Sequence, residues 1–86
     1  MENTANRIRQ FIVNNFLFGD EKALPPDNAS LLQRGLMDST GVLDLVGFIE
    51  EDFGIAIANE EVVPENLDTI ENLIRFVNSK LAVMAA

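Results

Sequence analysis

Ser39 follows Asp38 at the head of an acidic, apolar-striped segment, in the run Gly35-Leu36-Met37-Asp38-Ser39-Thr40. A serine hydroxyl can act as a nucleophile once a neighbouring base takes its proton, or it can accept a group that another enzyme transfers. The first role lacks its partner. The chain has no histidine, the usual general base. It has no lysine near position 39 and no Gly-x-Ser-x-Gly elbow, so a small hydrolase using Ser39 has no visible base. The second role needs only a reachable hydroxyl and a place for an incoming anion. A helix N-terminus provides that place through its free N–H groups and the positive end of its dipole. Taken alone, Asp-Ser before an apolar helix reads first as a structural N-cap.

Composition narrows the chemistry further. Zero cysteine excludes disulfides, thiolate nucleophiles and thiolate metal sites together. Any sulfur chemistry must come from a cofactor. With histidine also absent, neither a catalytic residue nor a metal site is expected in the chain itself. Its 86 residues predict one domain, 1–86, with a small core and little room for a deep catalytic pocket. No apolar stretch approaches the ~20 residues of a membrane span. The start, Met1-Glu2-Asn3-Thr4, lacks the pattern of a signal peptide. The cytoplasm is the expected compartment.

The net charge is -8, and its distribution is uneven. None of the six basic residues (Arg7, Arg9, Lys22, Arg34, Arg75, Lys80) lies between Gly35 and Ile74. Ten of the fourteen carboxylates do: Asp38, Asp44, Glu50, Glu51, Asp52, Glu60, Glu61, Glu65, Asp68 and Glu71. Such a surface repels nucleic acid and steers basic proteins toward it. For the count alone, solubility is a sufficient reason. The concentration around Ser39 favours a docking role.

The elements that must present Ser39 follow from periodicity. Ile8, Phe11, Ile12 and Phe16 share one face of a first helix, about Thr4 to Leu17, stopped by Gly19 and Asp20. Gly19 to Met37 reads as a long loop held by Leu24, Leu31, Leu32, Leu36 and Met37, with Pro25-Pro26-Asp27-Asn28 as a turn. Leu31-Leu32 is expected to form a short helical turn after Ser30. A second helix is predicted from Ser39 to Phe53, with Gly54 as its stop. Its core stripe is Val42, Leu45, Val46, Ile49 and Phe53. Its outer face holds Thr40, Asp44, Gly47 and Glu51, with Leu43, Phe48 and Glu50 at the margins. Ile55-Ala56-Ile57 reads as an extended link packing Ile55 and Ile57 inward. Asn59 is expected to cap a short helix, Glu60 to Val63, cut by Pro64. A last helix starts at an Asp68 or Thr69 cap, carries Ile70, Leu73, Ile74, Val77 and Leu81 inward, and runs to about Ala82 or on into the tail.

These residues resemble the acyl carrier protein family and its peptidyl and aminoacyl relatives. The resemblance rests on Gly35-x-x-Asp38-Ser39, then Val42, Leu45, Val46 and Ile49-Glu50-Glu51-x-Phe53-Gly54-Ile55-x-Ile57, and later Thr69-x-x-x-Leu73-Ile74-x-Phe76-Val77. Loosely it covers the whole chain. It implies an all-α, small four-helix bundle, three longer helices plus one short, with a long first loop. It also implies covalent attachment of 4′-phosphopantetheine to Ser39 by a phosphopantetheinyl transferase, with Asp38 supporting the transfer by helping to position Mg2+ and coenzyme A. The function implied is a non-catalytic carrier of an acyl or aminoacyl group as a thioester, and the missing cysteine is then explained. The implied partners are that transferase and acyl- or aminoacyl-activating ligases or synthases with basic docking surfaces, without nucleic acid or a membrane span, the chain being a monomer. Partner recognition is expected at Leu43, Asp44, Gly47, Glu50, Glu51, Glu60 and Glu61.

Thr40, Gly41 and Gly47 depart from the pattern of fatty-acid carriers, which often have a larger apolar residue, an acid and a larger apolar residue there. The Ser39-Thr40-Gly41 stretch is more similar to stand-alone aminoacyl or D-alanyl-type carriers. The two glycines fit either a flatter docking face or a looser helix. The alternative to a carrier is a cofactor-free acidic helical interaction module in which Ser39 is only a cap.

Overall fold

Apolar residues three and four apart become the buried faces of helices. The computed structural model describes residues 3–85. It forms α1 (Thr4–Phe16), α2 (Ser39–Phe53), the short α3 (Pro64–Leu67) and α4 (Ile70–Ala85). Among the described residues there is no strand, so the all-α expectation holds. α4 extends through the predicted tail to Ala85; Ala86 lies outside the described residues. Ile8 and Ile12 of α1, Leu45 and Ile49 of α2, and Ile70, Leu73 and Val77 of α4 meet in the centre, fully buried. Burying side chains of this size contributes about 1.5–3 kcal/mol each.

α1 and α2 run antiparallel. At one end the Phe16 ring rests on Gly41, near the start of α2. At the other, the Arg7 guanidinium lies 4.5 Å over the Phe53 ring and pairs with the Asp52 carboxylate at 2.5 Å. Between them the Phe11 and Phe48 rings stack with centroids 4.1 Å apart. Phe48, placed at the margin of α2 by its spacing, therefore helps close the seam.

The helix ends follow side-chain chemistry. Asn3 caps α1, its side chain accepting the Asn6 N–H at 2.8 Å. Gly54 ends α2 in the left-handed conformation, φ +68, donating its N–H to the Glu50 carbonyl at 3.0 Å; glycine meets no steric cost there. Thr69 rather than Asp68 caps α4, its hydroxyl accepting the Asn72 N–H at 3.0 Å.

The stretch between α2 and α4 corrects the sequence reading. Asn59–Glu61 is a 3-10 turn whose cap position is Ala58, not Asn59, and the helix follows at Pro64–Leu67. Pro64 opens a helix instead of cutting one. At the first helical position the missing N–H is no loss and the fixed φ suits the helix. Ile55 is buried as predicted and Ile57 half-buried. In the long loop, Leu31 and Met37 are buried, Leu24 and Leu36 partly so, but Leu32 is exposed and does not pin it.

Candidate functional site

The loop before Ser39 is tied down before the helix begins. Asp68, at the α3–α4 junction, receives it: its backbone carbonyl accepts the Leu31 N–H at 2.8 Å and its carboxylate the Leu32 N–H at 2.9 Å. The same carboxylate accepts the Ser30 hydroxyl. Ser30 in turn accepts the Gln33 N–H at 3.1 Å, making the predicted turn after Ser30. Further back, the Asp27 carbonyl accepts the Glu71 N–H at 2.9 Å and its carboxylate pairs with Arg9 at 2.6 Å. These bonds cross from the loop to α1 and α4 and fix where residues 36–39 emerge.

Asp38 then turns the chain into α2. Its backbone is extended (φ −119, ψ −173), and its Oδ1 accepts the Gly41 N–H at 2.8 Å. Ser39 is the first residue of the helix, and Asp38, Ser39 and Thr40 are all exposed. The first N–H groups of a helix have no partner within it. The Asp38 carboxylate takes that of Gly41, which leaves those of Ser39 and Thr40 outside the intrahelical ladder beside the Ser39 hydroxyl. Here the cap is Asp38, and the serine beside it is free for other chemistry.

Beneath this turn Gly41 is buried. A side-chain carbon there would stand 2.9 Å from Phe16 Cε1 and 3.2 Å from Met37 Cγ. Gly41 thus lets α1 approach the N-terminal turn of α2. Gly47 is different: open space surrounds it. Packing explains Gly41; nothing in the structure explains Gly47. Beside the same turn lies a cavity of about 100 Å3, lined mainly by apolar residues including Met37, Val42, Val62 and Leu67.

The predicted docking residues fall into two groups. Leu43 is 68% exposed, and Asp44, Gly47, Glu51 and Glu60 are exposed. Glu50 is half-buried, and its Oε2 accepts the Ile57 N–H at 2.9 Å, holding the link after α2 against the helix. Glu61 accepts the Ala58 N–H at 2.9 Å and pairs with Lys80 of α4 at 2.8 Å. The hydrogen bond from Lys80, then that from the Ala58 N–H, holds the Glu61 carboxyl below its ordinary range. Among the described residues no group of acidic side chains is arranged to hold a metal ion, and no helix is long and apolar enough to cross a membrane.

No protein-family model matches the chain. Curated relatives do. The acyl carrier protein of Buchnera aphidicola subsp. Schizaphis graminum is 34% identical over 80 residues, 93% of this chain and 96% of the relative. The chain belongs to the acyl carrier protein family. The acyl carrier protein of Zymomonas mobilis is 29% identical over 82 residues, 95% of this chain and all of the relative. The D-alanyl carrier protein of Abiotrophia defectiva is 32% identical over 65 residues, 76% of this chain and 82% of that protein.

These relatives are named as carriers and not as catalysts, in line with a chain that lacks a base for Ser39. Membership in the acyl carrier protein family implies a phosphopantetheine prosthetic group and partner enzymes. Within this carrier fold, sequence reasoning missed Asp68, which it took for a possible cap of α4, and the packing role of Gly41. Asp68 and Ser30 stand 38 residues apart, and no spacing rule joins them. For Gly41 the signal was its place inside a helix, where glycine is unfavourable without a packing reason.

Proposed function

We propose that residues 1–86 form one carrier domain that bears 4′-phosphopantetheine on Ser39 and holds an acyl or aminoacyl group for exchange between cytoplasmic enzymes. The observation that carries this reading is the exposed Ser39 at the N-terminal turn of α2, with the adjacent Asp38 already satisfying the cap. The site fits the group. The hydroxyl is reachable, the unladdered N–H groups and helix dipole favour a phosphodiester, and no basic side chain is needed to hold it. In the transfer, Ser39 Oγ forms a bond to the pantetheine-side phosphorus of coenzyme A. The pyrophosphate link breaks, adenosine 3′,5′-bisphosphate leaves, and the hydroxyl proton passes to a base of the transferase. Asp38 supports this step by helping to position Mg2+ and coenzyme A. When attached, the group supplies the thiol on which cargo is held as a thioester. Its tethering raises the cargo's effective concentration at successive active sites.

The similarity to a D-alanyl carrier protein favours a small, aminoacyl-type cargo. Leu43, Asp44, Gly47, Glu51 and Glu60 form the surface offered to ligases or synthases with basic docking faces. Glu50 and Glu61 belong to the same surface and also hold the backbone beside it, through the Ile57 and Ala58 N–H groups.

Coexpression with a broad-specificity phosphopantetheinyl transferase, followed by intact mass, tests the proposal. We expect a gain of one phosphopantetheine, lost in Ser39→Ala. An unchanged mass in a folded wild-type sample would falsify it and leave a cofactor-free interaction module.

A further inference from the structure

Phe18 follows α1 with its side chain 98% exposed and its backbone at φ +54. A bulky residue at positive φ is strained, whereas glycine adopts that region freely, and Gly19 beside it does so at φ +82. The turn closes through backbone bonds: the Gly19 N–H donates to the Val13 carbonyl at 2.9 Å and the Asp20 N–H to the Leu17 carbonyl at 3.0 Å. The ring contributes no packing to the fold, and the backbone beneath it suits glycine or asparagine better. Strain kept at an exposed position points to a function outside the fold.

The position of Phe18 identifies its occupant. Phe16, two residues earlier, rests on Gly41, two residues after Ser39. Two residues of chain span at most about 7 Å, so Phe18 lies at the Ser39 end of the bundle. The enzyme that first modifies Ser39 must bring its own active site against the hydroxyl. Exposed carboxylates accompany the aromatic: Asp20 and Glu21 follow it in sequence, ahead of the exposed Lys22, and Asp38 precedes Ser39. The complementary surface is an apolar socket with a basic rim.

We propose that Phe18 is the docking anchor for the phosphopantetheinyl transferase, entering an apolar socket on that enzyme while Ser39 occupies its active site. The inference rests on the carrier reading above. The test is the steady-state kinetics of Ser39 modification by a broad-specificity transferase with coenzyme A, read by intact mass, on wild type, Phe18→Gly and Phe18→Asn. Both substitutions relieve the backbone, so the Tm should stay level or rise. KM for the carrier should rise about tenfold, the loss typical of removing an aromatic anchor, with kcat little changed. Wild type modified normally, with both variants within twofold of its KM, overturns the anchor and leaves the carrier reading standing. Wild type that remains unmodified overturns both. Sedimentation showing a wild-type dimer that either variant dissolves, at unchanged KM, assigns the ring to a second copy of the chain and likewise overturns the proposal.

Discussion

The edge of the Phe16 ring lies 2.9 Å from where a side-chain carbon on Gly41 would stand. Residue 41 is thus a contact point between α1 and the turn that presents Ser39. Gly41→Ala gains about 1 kcal/mol of helix propensity but forces the ring or Met37 to move, at about 1–3 kcal/mol. The net expectation is destabilisation by about 1 kcal/mol, a fall in Tm of about 4–8 °C for a domain of this size. Gly47→Ala meets open space and should raise stability by about 0.5–1 kcal/mol. Thermal denaturation of the two variants side by side checks the contrast; two shifts of the same sign would refute it.

Asp38 carries two separable roles. Asp38→Asn keeps an oxygen for the Gly41 N–H and should keep the Tm, while slowing phosphopantetheine transfer to Ser39. Asp38→Ala should slow transfer and also cost about 1 kcal/mol through the lost cap. Urea unfolding and initial transfer rates on both variants test this. Equal transfer rates for wild type and Asp38→Asn would count against a role for the carboxylate charge.

Asp68→Ala removes the acceptor for the Ser30 hydroxyl and the Leu32 N–H. Losing such bonds costs about 1–3 kcal/mol. The expected signature is local: faster hydrogen exchange at the Leu32 amide and in the loop leading to Ser39, with the centre of α1 less affected. Uniform acceleration across the chain would argue against Asp68 as the staple.

Glu61 gives the stability a pH dependence of known sign. Its carboxyl is held below the ordinary value of 4.5 by Lys80 and the Ala58 N–H. A carboxylate depressed in the folded state stabilises the fold above its unfolded pKa, and that contribution disappears as pH falls through the folded pKa. Stability at pH 7 should therefore exceed that below pH 4.5, and Glu61→Gln should flatten part of the acid limb. Denaturant unfolding between pH 7 and pH 3 of both proteins is the measurement; parallel curves would remove the Glu61 assignment.

The docking acids should separate by what they touch. Reversing charge at Asp44, Glu51 and Glu60 should weaken binding to a basic partner several-fold and flatten its salt dependence, with little change in Tm. Glu50→Lys and Glu61→Lys should first lower the Tm, because these carboxylates accept the Ile57 and Ala58 N–H groups. Identical effects from both sets on Tm and on salt slope would dissolve the division.

Much of this molecule was legible from order along the chain. Apolar spacing located α1, α2 and α4, Gly54 marked the end of α2, and Asp38-Ser39 marked its start. These signals are local: a helix is written every three to four residues, and a cap acts within one turn. That Glu50 and Glu61, read as docking acids, also accept backbone N–H groups was not legible, because a solvated carboxylate and a hydrogen-bonded one have the same one-letter pattern.

Tertiary structure decided the remainder. Asp68 gathers Ser30 and Leu32 across more than thirty residues, Lys80 reaches Glu61, and Phe16 makes Gly41 necessary. Pro64 opened a helix where sequence logic had it close one, since either use satisfies a residue without an N–H. Contacts of this kind depend on distances in space between residues remote in the chain, and periodicity carries no record of them.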